Sequence, residues 1–271
     1  LPPDVFKKVA LDEYHRRFYD AGCRPDGRAF GQFEAVAVKT GTLPNCVGSA
    51  MVKLGDTTFL AGVRAEIGLP HASAPQQGMV VPNVDFPALC SSQFRPGPPP
   101  ESTAALSHQL VELLQSGDVV DTQALCIARG KAVWVLYVDI VCLNYAGHAL
   151  DGAAAALYLA LADTTIPPVS YDPFSDEVHL VPPSSASRET SPMRLTLKRP
   201  FVASTFAVLF GDTVVAHPNE EEESLAEALC TIVVDDAQRL CGTYKRGAVP
   251  IPLATLEQMT EAAQTRTKAF L

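Results

Sequence analysis

The sequence has little of what would make it a membrane, secreted or zinc-scaffolded protein. No apolar run approaches the roughly 18 residues of a membrane span: Val133 to Leu143 is broken by Asp139, and the stretch Gly152 to Leu161 is Ala-rich and too short. The seven cysteines, at 23, 46, 90, 126, 142, 230 and 241, form an odd set without a C-x-x-C pair. That argues against both a disulfide framework and a zinc site, and for a reducing compartment, cytosol or nucleus. Leu1-Pro2-Pro3-Asp4 lead into a charged amphipathic stretch rather than a basic region followed by an apolar one, so no secretory signal is visible, and the missing initiator Met points to trimming. Cations are also scarce. The net charge is −9, so the chain as a whole repels nucleic acid, and any RNA contact has to come from a local basic patch or from partner chains.

What is present is a globular composition: 271 residues, 47% of them hydrophobic, enough for one large domain or two small lobes. Residues 1–22 read as an N-terminal helix, with Val5, Val9, Leu11, Tyr14, Phe18 and Tyr19 at helical spacing and Ala21-Gly22 as its stop. Alternation then takes over in a meander: Phe33, Ala35 and Ala37 on one face, then Ala50 to Leu54, a Gly55-Asp56 turn, and Thr58 to Val63. Leu69 to Glu101 holds eight prolines without a strong period and is expected to be mostly loop. Ser102 to Gln115 is helical with Ala105, Leu106, Leu110, Leu113 and Leu114 as its apolar face. Ala132 to Leu143 is a long central strand, and Asp151 to Ala162 an Ala-rich helix.

A first lobe over 23–166, a Pro-rich connection over 167–193 and a second lobe over 194–271 follow. The second lobe has strands at Ser204 to Phe210, Thr213 to Ala216, Cys230 to Val234 and Leu240 to Tyr244. A closing helix runs from Leu253 to Phe270, with Leu253, Leu256, Met259, Ala262 and Ala263 in register. The phrases Leu54-Gly55-Asp56-Thr57 and Phe210-Gly211-Asp212-Thr213 occupy equivalent turns. The order of elements predicts an α+β protein of two related, βαβ-containing lobes.

Several phrases match a known family. Arg24-Pro25-Asp26-Gly27-Arg28, Gly48-Ser49-Ala50 followed by Leu54-Gly55-Asp56-Thr57-Thr58, and Val80-Val81-Pro82-Asn83-Val84-Asp85 together resemble the RNase PH family. Cys90-Ser91-Ser92 with Arg95 and Gly97-Pro98-Pro99, Trp134 to Asp139, and Phe201 to Val208 with the run Glu220 to Glu223 are similar to its eukaryotic exosome ring subunits. The resemblance implies the RNase PH-like fold, of the ribosomal protein S5 domain 2-like kind. It also implies a ring of six such proteins around an RNA channel, with RNA-binding cap subunits on one face and a hydrolytic nuclease on the other. RNA processing and degradation in nucleus, nucleolus and cytoplasm, with no membrane partner and no cofactor, would follow.

Phosphorolysis needs cations to hold inorganic phosphate and RNA, and carboxylates to manage a metal or proton at the scissile phosphodiester. In active members the long strand leads into a Gly-Gly-Thr/Ser-Arg loop at a helix N-terminus. The matching segment here is Tyr145 to Asp151: the arginine position falls on His148, and Asp151 sets a negative charge where phosphate would sit. Between Arg64 and Arg129 the only Lys or Arg is Arg95, and the helix offers His108 and Glu112 where the family has cations. Two family aspartates six residues apart map onto His217 and Glu223. The resemblance therefore implies a non-catalytic ring subunit with three degenerate places.

The same residues have simpler roles to weigh. His148 and His217 suit turns, with no other His or Cys at ligand spacing, and His217 has Glu220 to Glu223 within reach as partners. That acidic run suits a solvated face or a helix N-terminus better than a metal site. Pro98-Pro99-Pro100 either stiffens its loop or forms a polyproline ligand. Asp139 faces solvent or another subunit. Arg95 is either a plain loop cation or, with Gln93, a contact to RNA phosphates. Two other functions stay open: a phosphate-dependent 3′–5′ exoribonuclease active only with a partner subunit, and an RNA-binding module outside any ring.

Overall fold

The computed structural model describes residues 3–98, 100–174, 177–181, 192–211 and 213–270. Pro99, Asp212 and residues 182–191 of the second Pro-rich stretch, all part of expectations above, lie outside the described residues. By contacts the chain forms two units, one of residues 36–145 with 152–201, the other of residues 1–35, 146–151 and 202–271. Residues 23–35 thus group with the C-terminal third rather than with the strands that follow them.

The first of these units is built on a six-stranded sheet. Its hairpin Gly48–Leu54 and Thr57–Gly68 is antiparallel through a Gly55-Asp56 turn, where Gly55 takes the left-handed φ of 54°. The long strand Ala132–Asn144 pairs antiparallel with Thr57–Gly68 on one side and parallel with Met79–Asp85 on the other. A parallel pair needs a crossover, and the helix Glu101–Ser116 lies within it and packs on Met79–Asp85. The loop expected over Leu69 to Glu101 is therefore interrupted by a strand. Its Pro82 has no N–H to donate, which is tolerated because this is the edge of the sheet. The Pro-rich stretch from Pro167 likewise carries a hairpin, Val169–Asp172 with Glu177–Leu180.

One face of the sheet buries Val52, Leu54, Phe59, Ala61, Val63, Leu136, Val138 and Ile140. Leu106, Leu110 and Leu113 of Glu101–Ser116 are buried as predicted, but Thr103 rather than Ala105 completes that stripe. The alanines of Ala149–Asp163 let this helix lie close to the strands: a Cβ added to Gly152 would fall 2.5 Å from the Phe59 ring. Asp139 stays on the open face, half-exposed, and pairs across the strands with Arg64 at 3.0 Å.

In the other unit the strands Thr213–Ala216, Phe201–Leu209, Ala228–Asp235 and Leu240–Gly247 lie side by side in that order. Phe201–Leu209 is buried along its whole length, the mark of a strand covered on both faces. Leu253–Phe270 packs on Ala228–Asp235 through Met259 and Ala263. Leu253, assigned to that apolar face from its register, is 70% exposed, and the buried stripe instead continues into Arg266 and Thr267. The N-terminal segment is two helices, Pro3–Val9 and Leu11–Asp20, separated at Ala10, whose φ of −140° no helix accommodates. Phe33 precedes the first strand, Val36–Thr40, and packs into this unit's core instead of alternating along a sheet. No helix among the described residues is long and apolar enough to cross a membrane, and all seven cysteines are free.

Candidate functional site

The residues flagged at the family's catalytic positions fall into two groups. His148, His217 and Glu223 share the unit that contains both chain ends, whereas His108, Gln93 and Arg95 belong to the six-stranded unit. His108 is exposed on its helix and 3.5 Å from Glu112, one turn away. Gln93 and Arg95 are exposed in a loop anchored by Phe94, which stacks on Phe86 at 4.8 Å and meets Tyr145 edge-on.

Two turns create the site. Gly147 adopts a φ of 115°, and a Cβ there would collide with the Pro218 carbonyl, so only glycine lets the segment before Ala149–Asp163 approach the His217-Pro218-Asn219 turn so closely. Glu220 N donates to Ala146 O at 2.9 Å and fastens the two together. The acidic run opens the short helix Glu220–Leu225, with Asn219 and Glu222 forming a reciprocal capping box. It is not a solvated face throughout, because Glu222 is completely buried. Arg24, also buried, donates to both oxygens of Glu222 and to the carbonyls of Ala216 and His217, while the Tyr19 hydroxyl donates to Glu222 at 2.6 Å. Burial and the neighbouring Glu222 charge push the Tyr19 hydroxyl far above its ordinary range.

His148 and His217, both at positive φ, end with their rings stacked 4.3 Å apart and within 6° of parallel. Sequence spacing gave no reason to join them. His217 turns toward Asp151 rather than toward the acidic run: its Nε2 lies 2.9 Å from Asp151 Oδ2. Because Glu34 N donates to Nδ1 at 3.3 Å, the proton of the neutral ring sits on Nε2. Burial drives the His217 pKa down to about 3 against the upward pull of Asp151, so the ring is uncharged at neutral pH. His148 Nδ1 donates to Pro218 O at 3.2 Å, and its backbone N–H donates to Glu223 at 2.8 Å.

Asp151 is the centre of the arrangement. Its carboxylate, fully buried, accepts from Thr205 Oγ1 at 2.6 Å, Thr205 N at 2.9 Å and Arg266 Nη1 at 3.1 Å. Burial alone would raise this carboxyl; the His217 contact and the Arg266 guanidinium outweigh it and hold it well below the usual carboxylate range. Asp151 therefore does not stand as a free charge repelling phosphate, as its position in the sequence suggested, but is consumed inside the fold. Arg266 in turn donates to Ala203 O and Ser204 Oγ, and its guanidinium lies over the Phe33 ring.

Among the described residues one group of side chains brings potential ligands together: Glu34, His148 and His217 place donor atoms within 4.8 Å of one another. A metal ion binds imidazole in the ring plane, along the nitrogen lone pair. Two parallel stacked rings cannot both aim at one ion, and Nε2 of His217 carries a proton. Glu34, His148 and His217 as arranged therefore do not fit one divalent cation. The buried Asp151 carboxylate, already accepting three hydrogen bonds, is not free to act as a general base.

Glu34, Arg24, Arg28, Asp151 as a buried acceptor, Thr205 and Arg266 were not singled out from sequence as a network. The best available signal was Arg266, a charge at three- and seven-residue spacing from Ala263 and Met259 on an otherwise apolar stripe.

Residues 32–167 match the 3′ exoribonuclease family, domain 1, and residues 199–266 match domain 2 of the same family. The chain is 34% identical over 264 residues to the exosome complex component rrp43 of Schizosaccharomyces pombe, covering 97% of this chain and 95% of that one. It is 32% identical over 249 residues to the exosome complex component Rrp42 of Methanothermobacter thermautotrophicus, covering 92% and 86% respectively. Its fold resembles a chain of the Archaeoglobus fulgidus exosome solved with RNA bound to the active site. The TM-score is 0.84 at 25% identity, over 99% of this chain and 97% of that one.

Proposed function

The chain belongs to the 3′ exoribonuclease family, and from that premise we propose that it is a non-catalytic ring subunit of an exosome core. Its neighbours would be other RNase PH-like subunits, RNA-binding cap subunits and an associated hydrolytic nuclease, working on RNA in nucleus, nucleolus and cytoplasm. The kinship with exosome components of a yeast and of archaea supports the assembly. The observation that carries the absence of catalysis is the buried carboxylate of Asp151, enclosed by Thr205, His217 and Arg266. The Arg266 guanidinium is spent on an internal partner, and the Asp151 carboxylate that accepts from it is not free to take up a proton. The chain contributes scaffold, and its loop at Gln93 and Arg95 contributes a single cation for RNA phosphates without reading bases.

The test is to incubate the purified chain, and then its reconstituted heterodimer with a second RNase PH-like subunit, with single-stranded RNA and inorganic phosphate. No release of nucleoside diphosphates is expected in either case. Release by the heterodimer that is lost on substituting this chain's own residues would overturn the proposal in favour of partner-dependent phosphorolysis. Affinity purification with mass spectrometry should recover five other RNase PH-like proteins.

A further inference from the structure

Three donors converge on the two oxygens of Asp151: the Thr205 hydroxyl at 2.6 Å, the Thr205 backbone N–H at 2.9 Å and Arg266 Nη1 at 3.1 Å, with His217 Nε2 2.9 Å away beside them. All of these groups belong to residues far along the chain from Asp151, and each is fixed independently of it. Arg266 is also tied to Ala203 O and Ser204 Oγ, Thr205 Oγ1 is 2.7 Å from Thr231 Oγ1, and the His217 ring is held by the Glu34 N–H. A guanidinium, a hydroxyl and an amide N–H around a buried carboxylate, with an imidazole nitrogen alongside, are components of an oxyanion receptor. We infer that this set is an anion-binding site occupied by the protein's own tethered carboxylate, and that without the tether it takes a small free oxyanion of formate size.

The inference rests on the geometry of this unit alone and stands apart from exosome membership. Its test is chemical rescue in the full-length chain. Asp151→Ala removes the carboxylate and leaves its space and donors; Asp151→Asn fills the same space without the charge. Urea unfolding of each is followed against increasing sodium formate, with sodium chloride at equal ionic strength as the control. For Asp151→Ala the expected result is a low midpoint that rises with formate along a saturable curve and moves far less with chloride. Asp151→Asn is expected to start low and show no saturable rise, and Asp151→Ala combined with Arg266→Met to lose the formate response. Should Asp151→Ala not accumulate as folded protein, refolding from urea is expected to succeed in formate and fail in chloride. An Asp151→Ala protein indifferent to formate, or a formate response that survives Arg266→Met, would overturn the inference.

Discussion

The neutral state of His217 makes a specific demand on the acid stability of the protein. Its pKa is about 3 in the folded chain against 6.5 as the ordinary value. Below pH 6.5 the unfolded chain takes up a proton that the native state refuses, so stability falls as pH drops, and the loss continues until the folded pKa is reached. Each unit of difference is worth about 1.4 kcal/mol, which gives a loss of about 2 kcal/mol by pH 5 from this residue and about 5 kcal/mol in total near pH 3. Carboxylates held low by the backbone and side-chain hydrogen bonds of a neighbouring arginine, such as Asp26 with Arg28 and Asp235 with Arg239, act the same way only below their ordinary value of 3.8. Their effect therefore falls outside the window from pH 8 to 5. The comparison protein is His217→Asn, because asparagine accepts the left-handed backbone that His217 adopts and does not titrate. Urea unfolding of both proteins at pH 8 and pH 5 is the assay. The stability gap between wild type and variant should shrink by about 2 kcal/mol on acidification. Parallel curves for the two proteins across that window would refute the assignment of a buried neutral imidazole.

Removing Arg24 with Arg24→Ala leaves Glu222 buried without its ion partner and should cost about 3–5 kcal/mol in urea unfolding, whereas exchange of an exposed cation such as Lys8 should register within about 0.5 kcal/mol. Gly152→Ala forces a methyl against the Phe59 ring and should destabilise the chain by about 1–3 kcal/mol, relieved in part by Phe59→Leu. Arg95→Ala in the assembled complex should weaken RNA binding uniformly across sequences and reduce the salt slope by about 1. Phe94→Ala, which frees the loop from its stack on Phe86, should lower RNA affinity without that change in slope.

The central strand, the two hairpins and the closing helix were legible because their period is local: alternation for Thr57–Gly68, a three-to-four spacing for Leu253–Phe270. Met79–Asp85 was hidden by prolines, since the rule that excludes proline from strands lapses at a sheet edge and edge position is a tertiary property. The reading of His148, His217 and Glu223 as degenerate family positions came from the resemblance, which proposes which residue occupies a position but not what it does there. That Asp151 is a buried acceptor and not an exposed repulsive charge depends on Thr205, His217 and Arg266, none within fifty residues of it, and no local pattern carries such information. The stacking of His148 on His217 is set by the φ of Gly147 and by one backbone hydrogen bond, Glu220 N to Ala146 O.

The grouping of residues 1–35 with 202–271 also constrains the order of events at the ribosome. Arg24 and Glu222 are 198 residues apart, and at ordinary translation speeds about 10–40 s separate their emergence. For nearly all of that interval Tyr19, Phe30 and Phe33 have no core to enter, because the strands that receive them have not been made. The unit formed by residues 36–145 and 152–201 is still being made for most of that time. A nascent chain therefore carries an aromatic N-terminal segment in waiting while the other unit grows, the period in which a chaperone or an early-binding partner has the most to protect.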